Sequence, residues 1–159
     1  MPEAVSPTTA RALRSRARMF PAGLLAIAGA ALLVRVLFVV VVDPTVPRVG
    51  DASAYHLLAN NLADGRGYIR PFDFELLERV RPTAEYPPLF PALVSIVSFV
   101  GVKSVEGQRL AMTLVGTGTV VAIGLLGRRV GGQMVGFVAA GIAAVYPMLF
   151  LSDGVLMAE

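Results

Sequence analysis

Cysteine and tryptophan are absent from this chain, histidine occurs once as His56, and lysine once as Lys103. Without cysteine there is no disulfide and no thiolate metal site. A lone histidine excludes a histidine-rich metal cluster. Charge is also scarce: Asp, Glu, Lys and Arg make up 16% of the residues, against about a quarter in soluble domains. Apolar side chains take the space instead, at 55% of residues, with a mean hydropathy of +0.70. That balance is expected of an integral membrane protein. The net charge of +3 comes from arginines scattered between apolar runs. It speaks for membrane orientation and phosphate contacts, not for nucleic-acid binding.

Residues 1–19 are polar and basic, with Arg11, Arg14, Arg16 and Arg18 in quick succession. A basic start before an apolar run fits a secretory signal, and Ala28-Gly29-Ala30 offers small residues for cleavage. The run nevertheless continues unbroken to Val42, so a non-cleaved anchor is expected, with the four arginines cytoplasmic. At 1.5 Å per residue, the stretch 20–42 crosses a hydrocarbon core of about 30 Å. Arg35 lies inside it, which calls for snorkelling to the outer end or for burial within a bundle. A long outer loop, 43–108, should follow. In it Tyr55, Leu58, Ala59 and Leu62 recur at helical spacing, so an amphipathic helix over about 52–64 is expected to lie along the membrane surface. Gly65-Arg66-Gly67 stops that helix, and from Tyr68 to Glu85 the chain reads as charged and irregular.

The run Pro87 to Val102 leaves about 14 apolar residues after its prolines, a length typical of interfacial or re-entrant segments. The uncharged runs from Leu110 and from Val130, roughly 18 and roughly 23 residues long, can each cross. If 87–102 stays on the outer surface, Arg128-Arg129 between those runs is cytoplasmic, as the positive-inside rule prefers. Three crossings are therefore expected, at 20–42, 109–127 and 132–152, with a cytoplasmic turn at 128–131. A second outer loop then begins at 153. This puts Asp51 and Glu159 on the non-cytoplasmic face of a multi-pass protein.

Several short motifs occur in order. Gly50-Asp51-Ala52 with Tyr55 and Ala59 comes first, then Gly65-Arg66-Gly67-Tyr68, then Thr83-Ala84-Glu85-Tyr86-Pro87-Pro88-Leu89-Phe90-Pro91. Gln108-Arg109-Leu110, Gly127-Arg128-Arg129, Tyr146-Pro147 and Met157-Ala158-Glu159 follow. Each alone is weak, but together, over residues 30–159, they resemble the N-terminal part of GT-C class membrane glycosyltransferases. The similarity is closest to the polyprenyl-phosphate-sugar enzymes related to protein mannosyltransferases and the lipid A aminoarabinose transferase. It implies an all-α integral membrane fold: a GT-C-type N-terminal helical module whose outer-face loop carries amphipathic surface helices. Members of that class are several times longer, so the chain is expected to be an N-terminal fragment or truncated product, inactive alone.

The resemblance also implies a chemistry. A sugar moves from a polyprenyl phosphate to an acceptor on the non-cytoplasmic face, here the plasma membrane's outer side, with inversion. The donor lipid, membrane lipids and a protein, lipid or glycan acceptor are the implied partners. No cofactor and no metal are expected, and no nucleic acid. Asp51 matches the general base, and a carboxylate at a water–lipid boundary gains basicity as it loses hydration. Asp51 also reads as the N-cap of the helix that follows, a place aspartate fills well. Glu159 matches a second acid of the same pocket. A departing phosphate needs positive charge, for which Arg66, Arg70, Arg81 and Arg35 are the main candidates, with Arg79 beside them. Tyr55, His56, Glu85 and Tyr86 are candidate pocket-lining residues, and Asp153 is a candidate partner for an arginine. The alternative is a non-catalytic membrane protein, a transporter fragment or small assembly subunit. There Arg35 and the glycines Gly116, Gly118 and Gly124 would serve helix packing, as they would in an enzyme.

Overall fold

The computed structural model describes residues 7–42 and 50–156, with side chains from residue 19 onward except Val42, Asp153 and Gly154. Among these residues the chain is mostly helical and has no strand beyond one isolated bridge. Helix α1 runs Pro7–Leu37 and ends in a π-helical turn, Phe38–Val42. Then come α2 (Asp51–Ala63), α3 (Pro71–Leu77), α4 (Leu89–Phe99), α5 (Val105–Val145) and α6 (Pro147–Val155). Among the described residues, two helical stretches are long and apolar enough to cross a membrane, Met19–Val41 and Val105–Val145.

The second of these is a hairpin. Gly131 and Gly132 leave helical geometry, and Gly132 has φ +81°, a region open to glycine at no steric cost. The chain reverses there, so arm 133–145 packs back on arm 105–130. Small residues let the arms touch: a methyl on Gly136 would stand 2.7 Å from the Gly124 carbonyl, and one on Gly124 would meet Ala140 at 3.0 Å. Helix α1 packs on this pair through Phe20, Leu24 and Ala31, which share a core with Val120, Ala140, Ala143 and Ala144. Of the three glycines expected at packing contacts, Gly116 and Gly124 are buried, whereas nothing lies within 4 Å of a methyl placed on Gly118.

The second arm does not continue as one helix over 132–152. It stops at Tyr146, whose ψ of 117° is extended, and Pro147 opens α6. The cause is local: proline lacks the amide hydrogen a continuing helix needs and pushes the residue before it out of helical geometry. Helix α6 then meets the π-helical turn, where Phe150 and Phe38 stand edge to face at 5.5 Å.

Over this bundle lies a cap made of α2, α3 and α4. Its core joins Ala52 and Ala59 of α2, Val94 of α4, Met112 of α5 and Leu156 after α6. Helix α4 has 11 residues, about 16 Å, too short to cross the hydrocarbon core as a helix. It buries Pro91, Val94 and Ser98 and exposes Leu89, Ile96 and Phe99. The stretch 68–85 is not wholly irregular, because α3 forms inside it. Pro71 at the first helical position has a preset φ, and Asp73 in the first turn faces the positive end of the helix dipole. Flanking α3, the segments around Ile69 and Pro82 pair, with Arg70 N–H donating to Arg81 O at 2.7 Å and Thr83 N–H to Tyr68 O at 3.1 Å.

Candidate functional site

Asp51 is exposed at the first helical position of α2. It does not cap the helix as expected. Gly50 holds the capping position at φ +134° and makes no side-chain cap bond. The reason is that the helix starts one residue earlier than the pattern suggests, on a backbone that glycine adopts and aspartate resists. At its actual place the Asp51 carboxylate sits by the positive end of the α2 dipole.

One turn on, Tyr55 is buried, only 3% exposed. Its ring meets Tyr86 at 5.4 Å and Phe90 at 5.3 Å, both edge to face. Two motif segments far apart in sequence, 50–55 and 83–91, therefore come together at the start of α2. The Tyr68 hydroxyl donates to the Tyr86 carbonyl at 2.9 Å, which fixes the strand of chain bearing Tyr86. Burial holds the Tyr86 phenol above the usual tyrosine range, and the negative charges of Asp51 and Glu85 add to that. The Tyr68 phenol is raised too, by burial first and then by Tyr55 and Tyr86. Next to Tyr86, the exposed Glu85 accepts from Arg70 Nη2 at 3.1 Å and from the Thr83 hydroxyl at 3.4 Å. The site thus gathers Asp51, Tyr55, Tyr86, Glu85 and Arg70.

The other candidates lie elsewhere. Arg66 is beyond the opposite end of α2, pairing with Asp64 at 2.9 Å, donating to Asn61 Oδ1 at 3.2 Å and stacking over Phe74 at 4.9 Å. The 13 residues of α2 separate those ends by about 20 Å. Arg81 faces Asp73 at 3.9 Å. Arg35 is buried in the bundle, 1% exposed, and donates to the carbonyls of Ala31 at 3.2 Å and Ala144 at 3.4 Å. Of its two expected placements, the interior one is what forms. Asp153 belongs to α6, and Glu159 lies outside the described residues.

His56 does not line the Tyr55–Tyr86 group. It faces α5 and sits in a polar cluster with Asn60, Ser98 and Gln108. Asn60 and Ser98 belong to none of the motifs in the sequence, and Gln108 only to Gln108-Arg109-Leu110. The signal that would have found the cluster is the four-residue spacing of His56, Asn60 and Asp64, a polar stripe beside the apolar one. Asp64 closes that stripe with an ion pair to Lys103, and its carboxyl is held below the usual range chiefly by that hydrogen bond.

Among the described residues no group of three or more Asp, Glu or His side chains is placed to hold a metal. An open apolar groove of about 310 Å³, lined by Ile123, Ala139, Ile142, Ala143, Tyr146 and Leu149, shares no residue with the site at α2. Comparison of the chain with protein-family models, with curated proteins and with solved structures returns no match.

Proposed function

We propose that this chain is the N-terminal membrane module of a glycosyltransferase that takes its sugar from a polyprenyl phosphate, with Asp51 as general base. The observation that carries the reading is the meeting of segments 50–55 and 83–91 around Tyr55, Tyr86 and Phe90. In the reaction, the acceptor oxygen or nitrogen bonds to the anomeric carbon as the carbon–oxygen bond to phosphate breaks. The acceptor's proton passes to the Asp51 carboxylate, and the polyprenyl phosphate leaves with the bonding electrons. Arg70, half exposed beside Glu85, is the arginine of this group that would stabilise that charge. Arg66, Arg81 and Arg35 would need another surface or a rearrangement to reach it.

In the same proposal the module crosses the membrane three times, with Asp51 on the non-cytoplasmic side. Arg128 stacks over Phe20 at 4.5 Å, so the basic start of α1 and the arginine pair of the hairpin share one end of the bundle. The apolar stretch Met19–Val41, 23 residues, covers about 35 Å from that end toward α2. This supports one basic, cytoplasmic end and one outer end. Leu156 is buried in one core with Ala52, so the last described residue lies by the start of α2.

The test is Asp51→Asn in the full-length protein, assayed for sugar transfer in membranes. Asn keeps size but takes no proton, and loss of a general base costs about 10²- to 10⁴-fold in rate. Near-normal turnover in Asp51→Asn would remove Asp51 from the chemistry and with it this reading.

A further inference from the structure

Gln108 is wholly buried at the start of α5, and its amide meets three other side chains. His56 Nδ1 lies 2.7 Å from its Oε1, Asn60 Oδ1 lies 2.9 Å from its Nε2, and Ser98 Oγ lies 2.7 Å from the same Nε2. Asn60 Nδ2 in turn lies 3.3 Å from His56 Nε2 and 3.3 Å from the Lys103 backbone carbonyl. Three helices are joined at one point: α2 by His56 and Asn60, α4 by Ser98, α5 by Gln108.

The direction of every bond follows from one fixed member. The Lys103 carbonyl can only accept, so the Asn60 group facing it must be the NH₂. Asn60 Oδ1 then faces Gln108, which must present its own NH₂. Gln108 Oε1 is left facing His56 Nδ1 and can only accept, so Nδ1 carries the hydrogen. His56 Nε2 is bare and accepts from Asn60. Turning over either amide would set a donor against a donor or an acceptor against an acceptor, and at the buried Gln108 an unmade bond costs the full desolvation of its group. The arrangement has a single self-consistent assignment.

We propose that His56 and Gln108 form a positioning clamp, with His56 held as the Nδ1–H tautomer, that sets α2 against α4 and α5. Asp51 and Tyr55 ride on the same short helix, so the clamp sets their place relative to the segment bearing Tyr86. Its role in turnover rests on the transferase reading above; its geometry does not. Lys103 and Asp64 continue the same seam one turn further along α2.

The experiment uses the full-length protein with a histidine-selective ¹⁵N label; His56 is the one histidine of residues 1–159, and its ring signals are those missing from the His56→Asn variant. The expected spectrum has Nδ1 protonated and Nε2 bare, and Gln108→Leu should abolish that preference. A wild-type ring protonated at Nε2, or a spectrum unmoved by Gln108→Leu, overturns the clamp. Because Gln108→Leu can fail to fold, a second pair carries the test. Asparagine places its NH₂ where Nδ1–H stood, whereas glutamine places its amide where Nε2 stood. His56→Asn should keep α2 amide protection and transfer within a few-fold. His56→Gln should lose that protection and lower kcat about 10²-fold at unchanged donor KM, the scale of a misplaced reacting group. Equal or reversed behaviour of the two variants overturns the proposal. A silent Asp51→Asn together with the Nδ1–H spectrum would remove the enzymatic reading while leaving the clamp's geometry in place.

Discussion

Gly124 and Gln108 stand on the same arm of α5, about 24 Å apart along the helix axis, and each is buried where another helix crosses. At Gly124 the partners are Leu24, Ala140 and the Gly136 backbone, and the contact works because a side chain is missing. At Gln108 the partners are His56, Asn60 and Ser98, and the contact works because a particular side chain is present. The bundle is held by close approach, which any sufficiently small residue permits. The cap is held by directed bonds, which few residues can replace. In the membrane setting proposed above, lipid tails would give the bundle helices no hydrophobic reason to associate, so close packing would have to hold them together. A cap at the water boundary would be free to use hydrogen bonds, provided all of them are made.

The first way to break this comparison is to ask whether the two regions occupy the two environments assumed. Glu106, at the cap end of α5, and Arg129, at the hairpin end, are both exposed. With no native cysteine, Glu106→Cys should react fully with a membrane-impermeant thiol reagent added outside intact cells. Arg129→Cys should react only after the membrane is opened. This effect is all or none. Labelling of both positions from outside would place both ends on one side and end the distinction between bundle and cap.

Stability measurements come next in size. Tyr55→Ala removes a buried ring from between Tyr86 and Phe90, and losses of this kind run to about 3–5 kcal/mol. Thermal unfolding in detergent, followed by protease cleavage within 64–88, should show the cap opening before the bundle melts. In the bundle, Gly136→Ala drives a methyl toward the Gly124 carbonyl, a backbone atom that cannot swing aside. Overpacking of that sort costs about 1–3 kcal/mol. Gly118→Ala, which meets nothing within 4 Å, should be neutral or add up to about 1 kcal/mol, because alanine favours helix over glycine. Equal effects at 118 and 136 would mean that the hairpin arms do not pack through these glycines.

The same contrast explains what could be read in the sequence. Helical content, the two long apolar stretches and α2 follow from hydropathy and spacing. Tyr55, Leu58 and Ala59 point inward at the periodicity their positions suggest, whereas Leu62 is half-buried and Asn61 takes the buried place beside it. What spacing could not give was pairing. Asp51 looked like a cap because aspartate caps well, yet Gly50 could take a backbone shape that displaced it. Arg66 and Arg70 looked equivalent as basic loop residues, yet α2 lies between them and Asp51 in one case only. His56 looked like a pocket residue by its nearness to Asp51, although one step along a helix turns a side chain by about 100°. Directed contacts between distant segments have no local signature, and the candidate site consists of such contacts.

The smallest effect is also the most direct test of the site. The partly buried Tyr86 phenol is raised above the ordinary tyrosine range, first by lost hydration and then by the negative charges of Asp51 and Glu85. A phenol raised on folding stabilises the fold fully below its unfolded value of about 10, and that contribution is lost as pH rises through the folded value. Tyrosinate absorbance, with Tyr86→Phe used to subtract the other tyrosines, follows this group alone. Asp51→Asn removes one of the two charges and leaves burial untouched. The Tyr86 titration should therefore move down toward 10 without reaching it. Glu85→Gln should move it in the same direction by less, since the Glu85 charge is already shared with Arg70. A Tyr86 titration indifferent to Asp51→Asn would mean that the carboxylate does not face the phenol, and that the two motif segments meet through Tyr55 and Phe90 without forming a site.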